Sequence, residues 1–259
     1  MSLTPTRSTG WSTGFGNLLD KELGSWWRTR RWLVHLLLWL AIIPGFILLI
    51  SLESRRESTP AQGLENVMQI FFQAGGFFAL IGAVLVTQGA IVGERSYGTA
   101  AWVLTKPTTR KAFVLSKFVG ITATFLLLSL VIPGVVTLIV SRVVWGVLPR
   151  IDHFAEAVGI LALHQTFYIA ITLMLGTLFS SRGPVGGLAL GLWIAGNILP
   201  NFVPSWVTTA MPWTLPRAAG QIALWQPVGM PLWIPASISA ALIVVMLLVA
   251  LWRFEREEF

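Results

Sequence analysis

Polar and apolar positions alternate along this chain in long blocks rather than residue by residue. Six windows contain no Asp, Glu, Lys or Arg: residues 32–52, 66–93, 118–141, 157–181, 183–216 and 218–252. Every other uncharged gap is 12 residues or shorter. A helix that crosses a bilayer needs roughly 20 predominantly apolar residues, so each window holds one span. The pattern predicts spans over about 32–51, 67–92, 118–140, 157–179, 184–203 and 233–252. The runs are continuous and lack the period of two of barrel strands, which leaves helices as the spanning element.

The segments between the windows complete the layout. Residues 1–16 are polar and small and predict a disordered tail; 17–259 form one domain. From Asn17 to Trp32, Leu19, Leu23, Trp26 and Trp27 recur on one helical face, with arginines beside them. That is the pattern of an amphipathic helix lying in the membrane interface. The stretch Pro204–Pro231 holds five prolines and three tryptophans. It is too broken to span and too apolar for water, and it predicts short helices dipping back into the outer leaflet. Small residues four apart, Gly75, Ala79 and Ala83 on the second span and Gly183, Gly187, Gly191 and Ala195 on the fifth, predict faces where helices approach closely. Whether the partner helix belongs to this chain or to a second copy stays open.

Composition agrees with the blocks. The 259 residues are 55% hydrophobic and 11% charged, against about 25% charged in soluble domains. The net charge of +7 raises the possibility of nucleic acid, but its distribution points to lipid. With the N-terminus inside, thirteen of the 18 Lys and Arg residues fall on that face, including all four lysines. The acidic residues divide almost evenly, so both termini are expected to be cytoplasmic, beside anionic headgroups. No secretory signal is recognisable at the start, and there are no cysteines for a disulfide or thiolate site.

Chemistry is sparse. The chain has no GxxxxGK[ST] phosphate loop, no HExxH helix and no GxSxG elbow. His35, His153 and His164 have no acidic or cysteine neighbours at ligand spacing, so no metal is expected. His164, with Tyr168 one turn on, lies inside the fourth span and is read as a neutral histidine bonded to a neighbouring helix, or else as part of an intramembrane enzyme that lacks a visible nucleophile. No span carries a Lys, Arg or carboxylate, which counts against an ion-driven carrier.

Charge gathers instead in GERSYGTAAWVLTKPTTRKAFVLSK, Gly93–Lys117, between spans two and three. Glu94 follows the C-terminal end of a helix, where the macrodipole disfavours an anion, and therefore requires a cation: Arg95, another basic group of the loop, or one on another protein. Gly98 ends that helix, Thr99 caps a short one through Leu104, and Pro107 breaks it before span three. Arg110 and Lys117 share a face from which they can reach the phosphate layer. The segment is either a solvated loop or a docking helix for a cytosolic partner.

These residues resemble the permease subunits of the type 2 ABC transporter family. Members have an acidic residue closing span two, a Gly-Thr pair, a proline, an arginine and a lysine leading into span three; here they are Glu94, Gly98-Thr99, Pro107, Arg110 and Lys117. The interfacial helix resembles the family's elbow helix, and the Pro/Trp-rich segment its re-entrant outer helices. The resemblance implies a prokaryotic plasma (inner) membrane exporter subunit that binds no cofactor itself. ATP and Mg belong to a separate ABC ATP-binding subunit, present in two copies. It implies a second permease subunit, identical or related, and contact with the ATPase through Glu94, Arg95, Gly98, Thr99, Trp102, Lys106, Pro107 and Arg110, with Arg182 in a second, smaller contact. Spans two and five would line the path, with Phe71, Phe72, Gln73, Phe77, Phe78, Trp193, Ile194, Asn197 and Leu199 as its residues. So apolar a path suits a hydrophobic or amphipathic cargo. The competing function is a membrane anchor of the same fold that recruits an ATPase without moving cargo.

Overall fold

A computed structural model describes residues 10, 12–98, 108–198 and 202–257. Among the described residues the regular structure is helical. Helix α1 (Phe15–Trp27) begins beyond Gly14, whose φ of 81° is the left-handed conformation that glycine adopts without steric cost. A turn through Arg28–Arg30 leads to α2 (Arg31–Ser54), followed by α3 (Pro60–Ser96), α4 (Arg110–Trp145) and α5 (Ile151–Leu178). Then come α6 (Arg182–Ile198), α7 (Ser205–Thr209), α8 (Leu215–Ala223) and α9 (Trp233–Glu255). Five of these, α2, α3, α4, α5 and α9, are long and apolar enough to cross a membrane. Helix α6, the expected fifth span, is described for 17 residues, and Leu199 lies outside the described residues.

The long helices are not regular throughout. Helix α2 widens to a π turn over Ala41–Gly45, which contains Pro44; α4 does so over Leu127–Val131, just before Pro133. Proline donates no backbone hydrogen bond and crowds the preceding turn, and a local π turn absorbs both effects. A third π turn, Ile70–Ala74 in α3, has no proline. At its start α3 is fixed by a capping box: the Thr59 side chain accepts from Gln62 N, and the Gln62 side chain accepts from Thr59 N, with Pro60 at the first helical position.

Helix α5 is the hub. At about 1.5 Å per residue its 28 residues run about 42 Å, and α9, α8, α3, α6 and α4 all pack on it. Its middle is buried on every side, from Phe167 to Leu173, which suits a sequence apolar all round. Of the short helices before α9, α8 buries Leu215, Ala218, Ala219 and Ile222. His164 donates from Nδ1 to the Pro212 carbonyl at 3.0 Å, tying that segment to α5.

The two small-residue stripes separate. Ala79 and Ala83 are fully buried, and a Cβ on Gly75 would touch Ile43 of α2 at 3.6 Å; the α3 stripe therefore seats helices of its own chain. On α6, a Cβ on Gly183, Gly187 or Gly191 would meet nothing within 4 Å.

Candidate functional site

Ion pairs and hydrogen bonds gather at the end of the bundle where α1 and the last turns of α9 lie, and they tie five segments together. Glu94 leaves the last turn of α3 beside Lys117 of α4. Lys117 Nζ lies 2.8 Å from Glu94 Oε1 and 2.9 Å from Glu22 Oε1 of α1, and the Lys117 side chain is only 3% exposed. Lys21 reaches the same Glu94 oxygen at 3.0 Å. Helix α1 lies against α4 so tightly that a Cβ on Gly120 would sit 3.0 Å from the Glu22 Cβ.

The next residue clamps a different set. Arg95 Nε is 2.6 Å from Glu257 Oε1, its Nη2 donates to Glu257 Oε2 at 2.8 Å, and its Nη1 donates to the Phe179 carbonyl at 3.0 Å. One guanidinium thus holds the ends of α3, α5 and the C-terminal segment, a task that its planar fork of donors fits. Arg110 Nη1 donates to the Glu255 carbonyl at 2.7 Å, Lys111 pairs with Glu255 at 3.3 Å, and Phe113 stacks on Phe254 at 5.2 Å and 5°. Cations beside the last carbonyls of α9 also complement its dipole.

The cation that Glu94 requires is present twice, as Lys117 and Lys21. The expectation that Arg110 and Lys117 reach toward phosphates is corrected: Lys117 is buried between two carboxylates, and Arg110 is turned onto the end of α9. Gly98 has a φ of 67°, as a helix-ending glycine should. Thr99, Trp102, Lys106 and Pro107, with the short helix expected over 99–104, lie outside the described residues. Arg182 lies over Gly89 and Gly93. Of the acidic members of the network, Glu22 and Glu257 come from the two ends of the chain, and their pairing has no local sequence signal.

At the opposite end, Gln73, Phe77 and Asn197 come together. They line a cavity of about 380 Å³ with Trp193, Trp213 and Arg217, and the Phe77 and Trp193 rings lie 4.6 Å apart. Phe71 and Phe72 do not join them: both are buried against Phe154 of α5, in the core. A residue one or two positions along a helix points elsewhere, and here that separates core from cavity. Arg217, which the charge count placed in an outer loop, supplies the cavity with a cation.

No curated protein matches the chain. A family model described as ABC-2 family transporter protein matches residues 17–259, the whole of the bundle and of the charge network. The chain belongs to the ABC-2 transporter family of membrane proteins.

Proposed function

We propose that this chain is the permease subunit of an ATP-driven exporter, with no ATP site of its own, and that a separate ABC ATP-binding subunit drives it through the 94–117 segment. Family membership across residues 17–259 is the observation that carries this. The charge network supports the coupling half. A push on the loop acts at once on α1, through Lys21 and Glu22, on α5, through the Phe179 carbonyl, and on α9, through Glu255 and Glu257. Glu94, Arg95 and Arg110 in this reading stiffen the loop that presents Gly98–Pro107 to the ATPase, while the exposed Arg182 marks the smaller second contact. Both termini are then cytoplasmic, α1 is the elbow helix, α6 is the remaining span, and the segment carrying α7 and α8 re-enters from the outer side of the inner membrane. Two ATPase copies dock under two permeases, joined along the uncovered Gly183–Gly187–Gly191 face.

The outer cavity suits an amphipathic cargo. Phe77, Trp193 and Trp213 offer apolar walls, Gln73 and Asn197 hydrogen-bonding groups, and Arg217 a cation at the mouth. Purification of the tagged chain from its host in mild detergent tests the scheme. An ATP-binding subunit should accompany it in stoichiometric amount and be lost when 98–107 is scrambled. A chain that purifies without any such subunit removes the engine and refutes the proposal.

A further inference from the structure

Two cavities meet on the terminus-bearing side, between α1 with the start of α2 and the last third of α3. The larger, about 510 Å³, is walled by Trp26, His35, Leu85, Val86 and Ile121. The other, about 350 Å³, is walled by Lys21, Gly93, Glu94, Lys117 and Arg182. They share Glu22, Ser25, Arg31, Gly89 and Ala90. Together they make one cleft, apolar toward the middle of the bundle and charged at its end.

The charged half is not balanced. It contains Lys21, Arg31, Lys117 and Arg182 against Glu22 and Glu94, four cations to two carboxylates, which leaves two positive charges over. The carboxylates are taken by Lys117 and Lys21. Neither Arg31 nor Arg182 has a carboxylate within ion-pair distance among the described residues. The Arg182 guanidinium lies in a space kept open by glycines, since a Cβ on Gly89 or Gly93 would come within 3.3 Å of it.

We propose that this cleft binds one acidic phospholipid from the leaflet on the terminus side, its phosphate between Arg31 and Arg182 and its acyl chains along Leu85, Val86 and Ile121. Charge complementarity selects the headgroup: paired guanidiniums suit a phosphate diester, while a zwitterionic headgroup adds an ammonium to a cleft already in cationic surplus. The apolar half selects a lipid over a free phosphate, for which that surface has no use. Leu85 is 57% exposed at the flank of the bundle, so the acyl chains need not leave the bilayer to reach it. This is a defined site, distinct from the diffuse attraction that any basic membrane face exerts; it shares Arg182 with the smaller ATPase contact proposed above, and the test below therefore uses the chain without an ATPase.

The test uses the full chain in nanodiscs of phosphatidylcholine with or without phosphatidylglycerol. Native mass spectrometry should find one phosphatidylglycerol retained per chain, and its presence should raise the melting temperature by several degrees. The double variant Arg31→Gln/Arg182→Gln should lose both effects while melting like wild type in phosphatidylcholine alone. Arg30→Gln/Arg253→Gln, on the same face but outside the cleft, should keep them. Equal loss in that control would reduce the effect to surface charge and overturn the proposal. So would equal retention of phosphatidylcholine, or stabilisation of the same size by millimolar inorganic phosphate. A further measurement needs no variant: phosphatidylglycerol with a diazirine in its acyl chain should label residues 85–90 and 121 of the wild-type chain. Label spread evenly over the lipid-facing helices is incompatible with a defined site.

Discussion

Lys117 and Glu94, 23 positions apart, meet at 2.8 Å with the lysine almost wholly buried, and Glu22 of the N-terminal helix completes the group. A buried ammonium between two carboxylates is poorly replaced by anything neutral. Removing one partner of a buried pair leaves the others desolvated, at a cost of about 3 kcal/mol. Lys117→Met should therefore destabilise the chain by about that amount in detergent unfolding. Glu94→Gln added to it should cost clearly less than the sum of the two single changes, because the carboxylate being removed has already lost its best partner. Strict additivity would mean that the two groups do not interact.

Arg95 holds Glu257 and two sequence-distant carbonyls with one planar group. Lysine keeps the charge but not the fork. Arg95→Lys should loosen the C-terminal segment, seen as faster amide exchange or carboxypeptidase trimming at 254–257, with the rest of the bundle unchanged. Protection equal to wild type would show that Phe254, stacked on Phe113, suffices to hold the tail.

Two glycines of the helical bundle make opposite predictions. A Cβ at Gly82 would lie 2.4 Å from the Trp39 ring, so Gly82→Ala should destabilise by about 2 kcal/mol through overpacking. Gly187 has open space around it, so Gly187→Leu should leave the melting temperature of the chain unchanged. If the uncovered face of α6 joins two permeases, the same change should lower the yield of a crosslinked pair. Undiminished crosslinking would place the junction elsewhere.

His164 offers one hydrogen bond, to the Pro212 carbonyl, from a buried position. His164→Ala should cost about 1–3 kcal/mol and increase amide exchange in residues 212–223, while ATPase stimulation in the assembled transporter survives. Complete loss of function in a folded variant would restore the enzyme reading.

Much of this protein was legible in order along the chain. Charges are so costly in hydrocarbon that their absence marks candidate spans, and five of the six uncharged windows each hold a helix long and apolar enough to cross. The cation demanded by Glu94 was also legible, because a carboxylate at a helix C-terminus is unfavourable without one. Which cation it is, and that Glu22 shares it, were decided by tertiary packing, since Lys117 and Glu22 are 95 positions apart. The same holds for Arg95 and Glu257, 162 apart.

Faces were the harder matter. The small residues on α3 and α6 look alike in sequence, yet one stripe is filled by Ile43 and its neighbours and the other is bare. Phe72 and Gln73 are adjacent, yet one is in the core and the other in a cavity. A helix sequence sets which residues share a face, through its 3.6-residue turn. What that face meets depends on where the other helices stand, and in so uniformly apolar a chain hydrophobicity does not distinguish lipid from a neighbouring helix. Sequence by itself determined which segments are apolar enough to enter the membrane, because a charge is costly in hydrocarbon; only packing decided what touches what.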